Sequence, residues 1–339
     1  MKAWEIGAKT GISGLRLVER AAPRPGRGEV LVDVIAAGLN YRDLMVLDGK
    51  YGSNLPDTRV PLADGVGRIA ALGEGTNGWA VDQRVIAPHF VSWIDGPFSM
   101  AAFGRDMGST LDGWLAEQIT IPAAALIAVP DNLSDASAAT LAVVGGTVWH
   151  AMVAFGAAGP GSLVLAQGTG GVSIFALQLA KALGCQVAIT SSSDEKLARC
   201  RELGADYTIN YRTRPDWAAA LLDASGGRGA DVVVDTLGFP ALGETVAACA
   251  VNARIGTVGA LAGSPAAPVG VSQGLLIARN IAIKGVASGS RAMLGRAMDA
   301  FAASDSQMVV DSNFAFADAP DAFEYLASGA HLGKVAISV

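Results

Sequence analysis

The sequence is poor in the residues that hold metals and staple secreted folds. Its 339 residues include three cysteines, Cys185, Cys200 and Cys249, and three histidines, His89, His150 and His331. No two cysteines stand at C-x-x-C spacing, and a thiol-rich zinc lobe needs four close ligands. An odd, scattered set of thiols reads as reduced core cysteines of a cytoplasmic protein. Charge is scarce too: Asp, Glu, Lys and Arg make up 17%, and none falls between Ala136 and Ala180. That length alone would allow a membrane span. Gly145-Gly146, His150, Gly156, Gly159-Pro160-Gly161 and the run from Gly168 to Gly171 break it into buried helix, strand and helix, so no membrane partner is expected. The formal charge of −6 argues against a polyanion-binding surface and a nucleic-acid partner. The opening Met1-Lys2-Ala3-Trp4-Glu5 lacks the apolar stretch of a signal peptide. What is plentiful is apolar side chain, at 51%, which excludes a disordered chain.

The pattern changes twice along the chain, which is expected to fold as two domains. Residues 1–125 are β-rich, with strands at Glu29–Ala37 and Gly65–Gly73 and a turn then a strand within 78–87, set among frequent Gly and Pro. Residues 90–113 are irregular and rich in Phe, Trp, Met and Gly. Over 126–289, short β-branched runs alternate with helical patterns. The expected strands are Ser162–Ala166, Gln186–Thr190, Tyr207–Ile209, Asp231–Asp235, Arg254–Val258 and Ile281–Val286. Val172–Leu183 and Asp194–Leu203 are expected helices between them. Apolar strands separated by helices indicate an α/β parallel sheet covered on both faces. Residues 290–339 return to a mixed pattern, with a helix over 291–303 and a last strand over 334–338.

The most specific local signal is Leu163-Val164-Leu165-Ala166-Gln167-Gly168-Thr169-Gly170-Gly171-Val172-Ser173. It reads as a strand, a tight glycine turn and a helix start. Such a turn lets backbone approach a pyrophosphate, which the helix N-terminus then attracts. The last glycine of the fingerprint is Ser173 here. An NAD site usually has a carboxylate at the end of the second strand. Here that position reads Thr190-Ser191-Ser192-Ser193, with Lys196 beyond it. Hydroxyls and a lysine suit a 2′-phosphate, so NADP (as NADPH) is expected and NAD is the less favoured coenzyme. Ser193 can at the same time cap the helix that starts at Asp194.

Further landmarks are Gly38-Leu39-Asn40-Tyr41-Arg42-Asp43, Pro61–Gly67, Asp112-Gly113-Trp114-Leu115-Ala116-Glu117, Ile209-Asn210-Tyr211-Arg212 and His331-Leu332-Gly333-Lys334-Val335. In their order and spacing, over essentially the whole chain, they resemble the medium-chain dehydrogenase/reductase superfamily and its zinc-independent, quinone-oxidoreductase-like members. The resemblance implies a GroES-like catalytic domain, residues 1–125 and 290–339, and a Rossmann NADP-binding domain, residues 126–289. It implies coenzyme contacts at Gly168, Thr169, Gly170, Gly171, Val172, Leu237 and Gly259. It also implies a 2′-phosphate held by Ser192 or Ser193, Lys196 and Tyr211.

Zinc-dependent relatives carry Cys where this chain has Asn40, and Gly-His-Glu where it has Leu62-Ala63-Asp64, so no zinc site is expected. Asp64 then reads as a turn or buried hydrogen-bonding carboxylate. The resemblance puts Asn40 and Tyr51 near the nicotinamide and a small-molecule substrate. Asn40 is the orienting group; Tyr51 is either the substrate donor or a surface turn residue. Some relatives have a tyrosine where this chain has Met45, which implies an apolar pocket wall. His89 is a candidate donor or a satisfied structural histidine. Phe90 and Trp93, with Phe98, Met100 and Phe103, form a pocket lining or a small core of their own. The activity implied is hydride transfer to quinones, enones or related carbonyls. An alcohol dehydrogenase and a coenzyme-binding protein with little turnover are the alternatives. A homodimer or homotetramer is expected, with Ile281–Val286 meeting its symmetry mate at the sheet edge.

Overall fold

The computed structural model describes residues 1–7, 11–51, 56, 58–263 and 265–339. The chain forms two compact units, Met1–Gly146 with Ser290–Val339, and Thr147–Gly289. The first unit thus runs past residue 125, where the sequence pattern changes.

Its N-terminal part contains β1 (Lys2–Ile6), β2 (Leu15–Glu19), β3 (Glu29–Leu39), α1 (Tyr41–Leu47), β4 (Asp64–Leu72), β5 (Arg84–Ile86), β6 (Gln118–Pro122), β7 (Ile127–Ala128) and α2 (Asp135–Ala139). β3 alternates buried and more exposed residues along its first half, as a strand with one face on the core should. It pairs antiparallel with both β4 and β6. Arg84 fastens β5 to the segment before α2, donating to Asp135 Oδ1 at 2.8 Å and to the carbonyls of Pro130 and Leu133 at 2.7 Å. Gly38 has a contact reason: a Cβ there would meet the carbonyl of Ala139 at 2.5 Å, so β3 and α2 touch backbone to backbone.

The second unit begins within α3 (Ala142–Val148), which leads into a π-helical stretch, Trp149–Phe155. Then follow β8 (Leu163–Gln167), α4 (Gly171–Ala182), β9 (Gln186–Ser191), α5 (Asp194–Glu202), β10 (Tyr207–Asn210), α6 (Trp217–Ala224), β11 (Ala230–Asp235), α7 (Leu242–Ala247), β12 (Cys249–Thr257), α8 (Gln273–Ala278) and β13 (Ala282–Gly285). The six strands are parallel in the order β10-β9-β8-β11-β12-β13. Counted within the unit this is 3-2-1-4-5-6, the doubly wound arrangement whose order reverses between its first and fourth strands. β8 is buried along its whole length. β13 is not: all four of its residues are exposed, because it is an edge strand paired only with β12.

The chain then returns to the first unit with α9 (Arg291–Ala302), β14 (Val310–Ala315), α10 (Ala319–Ser328) and β15 (Lys334–Ser338). β15 lies antiparallel to β3 and parallel to β14, so the last strand of the chain completes the first unit's sheet. Its core gathers Trp114, Leu62, Ile69, Ile121, Phe323 and Val335. Trp114 is fully buried against Gly65, where a Cβ would come within 2.4 Å of the indole ring. Trp114→Ala is therefore expected to lower the unfolding free energy by about 3–5 kcal/mol, measured by urea denaturation. A loss under about 1 kcal/mol would mean that the indole is not a core element.

Candidate functional site

In the second unit the glycine loop follows the last residue of β8. Gly168 has φ +78°, a conformation that favours glycine, and its N–H donates to the carbonyl of Thr190 at 2.8 Å. A Cβ built on Gly168 or Gly170 would meet nothing within 4 Å, so open space lies beside both. Gly170 is the N-cap of α4 and no side chain caps it. Thr169 is largely buried, and Gly171 and Val172 form the first turn of α4. Ser173, in place of the last fingerprint glycine, points its hydroxyl back to the strand, where it donates to the carbonyl of Gln167 at 2.6 Å. Thr236 Oγ1 donates to that same carbonyl at 2.9 Å. The loop is thus anchored from below while its glycines and free helix N–H groups face open space. That cradle fits a pyrophosphate.

At the end of β9, Ser193 caps α5 by accepting the N–H of Lys196 at 3.3 Å, and Ser191 Oγ accepts the N–H of Ser193 at 3.3 Å. Ser192 is half-buried. Tyr211 has its N–H on the carbonyl of Ser191 at 3.0 Å and is 41% exposed. Asp194 is held by Asn210 Nδ2 at 2.9 Å, a pairing the sequence reading missed. The turn after β11 rests on another missed residue, Asp235, whose Oδ1 accepts the N–H groups of Leu237 and Gly238, both at 3.0 Å. Burial raises the Asp235 carboxyl above its ordinary range. Gly259 passes so close to this turn that a Cβ would meet the carbonyl of Thr236 at 2.8 Å.

The first unit holds two adjoining polar clusters. In one, Asn40 follows β3 and caps α1, its N–H donating to Asp43 Oδ2 at 2.8 Å. Its side-chain Nδ2 donates to Asp64 Oδ2 at 2.9 Å, and Lys334 Nζ donates to its Oδ1 at 2.6 Å. In the other, Asp106 is a hub. Arg42 Nη2 donates to its Oδ2 at 2.7 Å, and His89 Nδ1 donates to its Oδ1 at 2.8 Å. A carboxylate only accepts, which fixes the histidine proton on Nδ1. The Tyr51 ring lies under the Arg42 guanidinium, 4.5 Å from centroid to Cζ.

His89 is fully buried and has a polar partner, while Phe90 and Trp93 join Phe98 and Phe103 in a small aromatic core. The Phe90–Phe103 and Trp93–Phe98 ring centroids are each 5.1 Å apart. Little of Phe90 or Trp93 is left to meet a substrate in this conformation. Met45 is half-buried on α1 beside a groove formed with Ile12, Tyr41 and Leu44.

Comparison with known proteins settles the family. Residues 26–131 match the alcohol dehydrogenase GroES-like domain, and residues 171–303 match the zinc-binding dehydrogenase domain. A zinc-type alcohol dehydrogenase-like protein of Schizosaccharomyces pombe is 38% identical over 92% of this chain and 91% of its own length. The chain belongs to the medium-chain dehydrogenase/reductase superfamily. An acryloyl-coenzyme A reductase of Sulfurisphaera tokodaii is 31% identical over 82% of each chain. A mycobacterial protein solved with NADPH superimposes with a TM-score of 0.81 at 25% identity, covering all of both chains.

This dehydrogenase/reductase is accordingly an NAD(P)H-dependent oxidoreductase. Among the described residues, no three His, Cys, Asp or Glu side chains converge to hold a metal ion. Nor is any described helix long and apolar enough to cross a membrane. What the described residues around Asn40 and Asp106 offer is a set of hydrogen bonds and fixed charges. Burial would raise Asp106, but Arg42 and His89 together take it below its ordinary range. Burial and the Arg42 charge both push His89 down, so it stays neutral. Tyr51 is pushed up to about 12, chiefly by burial, and keeps its proton at neutral pH.

Asp43 is raised to about 6 by burial, with Arg42 opposing. Between its ordinary 3.8 and about 6 the folded chain holds a proton that the unfolded chain releases. Stability should therefore fall as pH climbs through that window and level off above it, with a contribution of at most about 1.4 kcal/mol per pH unit. Asp43→Asn is expected to flatten this segment in denaturation curves taken at successive pH values. An unchanged slope would contradict the assignment.

Proposed function

We propose that the chain is an NADPH-dependent reductase of conjugated carbonyl compounds: quinones, enones and their relatives. One observation carries this reading. Where zinc relatives have a metal-ligating cysteine, Asn40 has its amide bound between an ammonium and a carboxylate. Without a Lewis acid to polarise a simple carbonyl, hydrogen-bond donors suffice best for a substrate that conjugation already activates. The relative that acts as an acryloyl-coenzyme A reductase supports the substrate class, and the NADPH-bound mycobacterial structure supports the coenzyme.

In this reading Gly168, Thr169, Gly170, Gly171 and Val172 hold the pyrophosphate. Leu237 and Gly259 approach the nicotinamide end by backbone. Ser192, Ser193, Lys196 and Tyr211 hold the 2′-phosphate. The bound coenzyme supplies the hydride. Asn40 and Tyr51 donate hydrogen bonds to the substrate oxygen, Met45 and His89 border the substrate, and Phe90 and Trp93 support that wall from behind. Buried, free cysteines agree with a cytoplasmic protein. The exposed edge strand β13, with Ile283 and nearby Ile277 open to solvent, is the face we assign to a second copy.

The test is a panel of quinones, enones, simple ketones, aldehydes and alcohols assayed with NADPH and with NADH. Quinones or enones should be reduced fastest, and with NADPH. Lys196→Ala is expected to weaken NADPH binding about tenfold and NADH binding less than about twofold, read by coenzyme fluorescence. A simple ketone reduced as fast as an enone would favour the alcohol dehydrogenase reading. Equal effects of Lys196→Ala on both coenzymes would remove the 2′-phosphate assignment.

A further inference from the structure

An asparagine amide can usually turn over, exchanging its donor and acceptor ends at little cost. At Asn40 it cannot. Lys334 is buried, and its Nζ donates to the carbonyl of Leu39 at 2.7 Å, to Asn40 Oδ1 at 2.6 Å and to Asp64 Oδ2 at 3.1 Å, which uses all three of its donors. Asp64, also buried, accepts Asn40 Nδ2 on Oδ2 and the N–H of Val143 on Oδ1, the latter at 2.7 Å. An inverted amide would press its NH₂ against an ammonium and its oxygen against a carboxylate. Both contacts would be repulsive and shielded from water.

The sheet brings these groups together. Asn40 follows the last residue of β3, Asp64 opens β4 and Lys334 opens β15. The registers Gly38↔Asp64 and Leu39↔Val335 set the three strand ends side by side. Asp64 takes one Nδ2 hydrogen of Asn40, and among the described residues no acceptor takes the other.

We propose that Lys334 and Asp64 are positioning residues that hold the Asn40 amide in one orientation, making its second Nδ2–H a fixed donor to the substrate oxygen. The proposal rests on the reading of the reaction as hydride transfer to a conjugated carbonyl. In that reaction a C–H bond forms at the electron-poor carbon. The π pair of the carbon–carbon bond shifts, and the carbonyl pair moves to oxygen. The substrate is reduced by two electrons and the coenzyme is oxidised. Asn40 hydrogen-bonds the oxygen as charge arrives and transfers no proton; water supplies the proton that completes the product. A donor aimed at developing charge acts mainly in the transition state, and losing one slows catalysis about 10²–10³-fold.

The test exchanges two side chains. In the double variant Asn40→Asp/Asp64→Asn, Lys334 keeps the Leu39 carbonyl and a carboxylate oxygen at position 40 but gives up its acceptor at position 64, where the amide accepts the Val143 N–H and donates to the carboxylate; the cluster keeps its net charge. Position 40 loses its N–H. Asn40→Asp alone should lower the melting temperature, because it sets two carboxylates together. The double variant should recover that temperature to within a few degrees. Its turnover of cyclohexenone with NADPH should stay about a hundredfold or more below wild type, with kcat and kcat/KM falling together. Recovery of both stability and turnover would overturn the proposal.

Should the double variant not fold, wild-type protein decides. With asparagine side chains labelled with ¹⁵N, one of the two Asn40 amide protons should shift when cyclohexenone is added with NADP⁺, and the one facing Asp64 should not. No shift overturns the proposal. Absence of wild-type turnover with every conjugated carbonyl would overturn the reaction reading instead, and the amide shift would then decide this proposal by itself.

Discussion

A buried ammonium between a carboxylate and an amide is the constraint around which the first unit is arranged. Removing Lys334 and Asp64 from water carries a desolvation penalty of several kcal/mol per ion, so such a pair persists only when its remaining donors and acceptors are satisfied. Here they are: the lysine reaches three oxygens and the carboxylate takes three hydrogens. The pair is therefore weak evidence for stability and stronger evidence for specificity. It fixes where β3, β4 and β15 end relative to one another, and it spends the amide oxygen of Asn40 on an internal partner.

The neighbouring cluster follows the same logic with different groups. Asp106 is the acceptor, Arg42 supplies the compensating charge, His89 is a neutral donor, and Tyr51 keeps its proton beside them. Asp43 accepts the N–H of Asn40 in one cluster and feels the Arg42 charge of the other. Such a centre orients and hydrogen-bonds, whereas a metal would polarise. In the second unit, by contrast, the binding elements are backbone: glycines with open space beside them and an uncapped helix start, held by Ser173 and Thr236.

The second unit was largely legible in the sequence because its signals are local. Apolar runs give most of the parallel strands within a residue or two, although β12 begins at Cys249 where Arg254 was expected, and the glycine loop carries its own geometry. The exception is instructive: β13 belongs to the same series yet lies open at the sheet edge, since local pattern does not say which strand has a neighbour on only one side. The first unit was less legible. Asp64 read as a buried hydrogen-bonding carboxylate, but its partner Lys334 lies 270 positions away, and the Asn40–Lys334 contact spans 294. Asp106 and Asp235 carried no signal at all. A lone aspartate in a loop resembles any turn residue until the fold places a guanidinium, an imidazole or two backbone N–H groups beside it.

The proposed reaction relies on the Asn40 amide, held by the Lys334 ammonium, in place of a metal. The most direct measurement is the rate of NADPH oxidation by an enone before and after exhaustive dialysis against a chelator, with metal content determined on the same samples. An unchanged rate in metal-free protein is expected. Activity lost on dialysis and restored by zinc would contradict it.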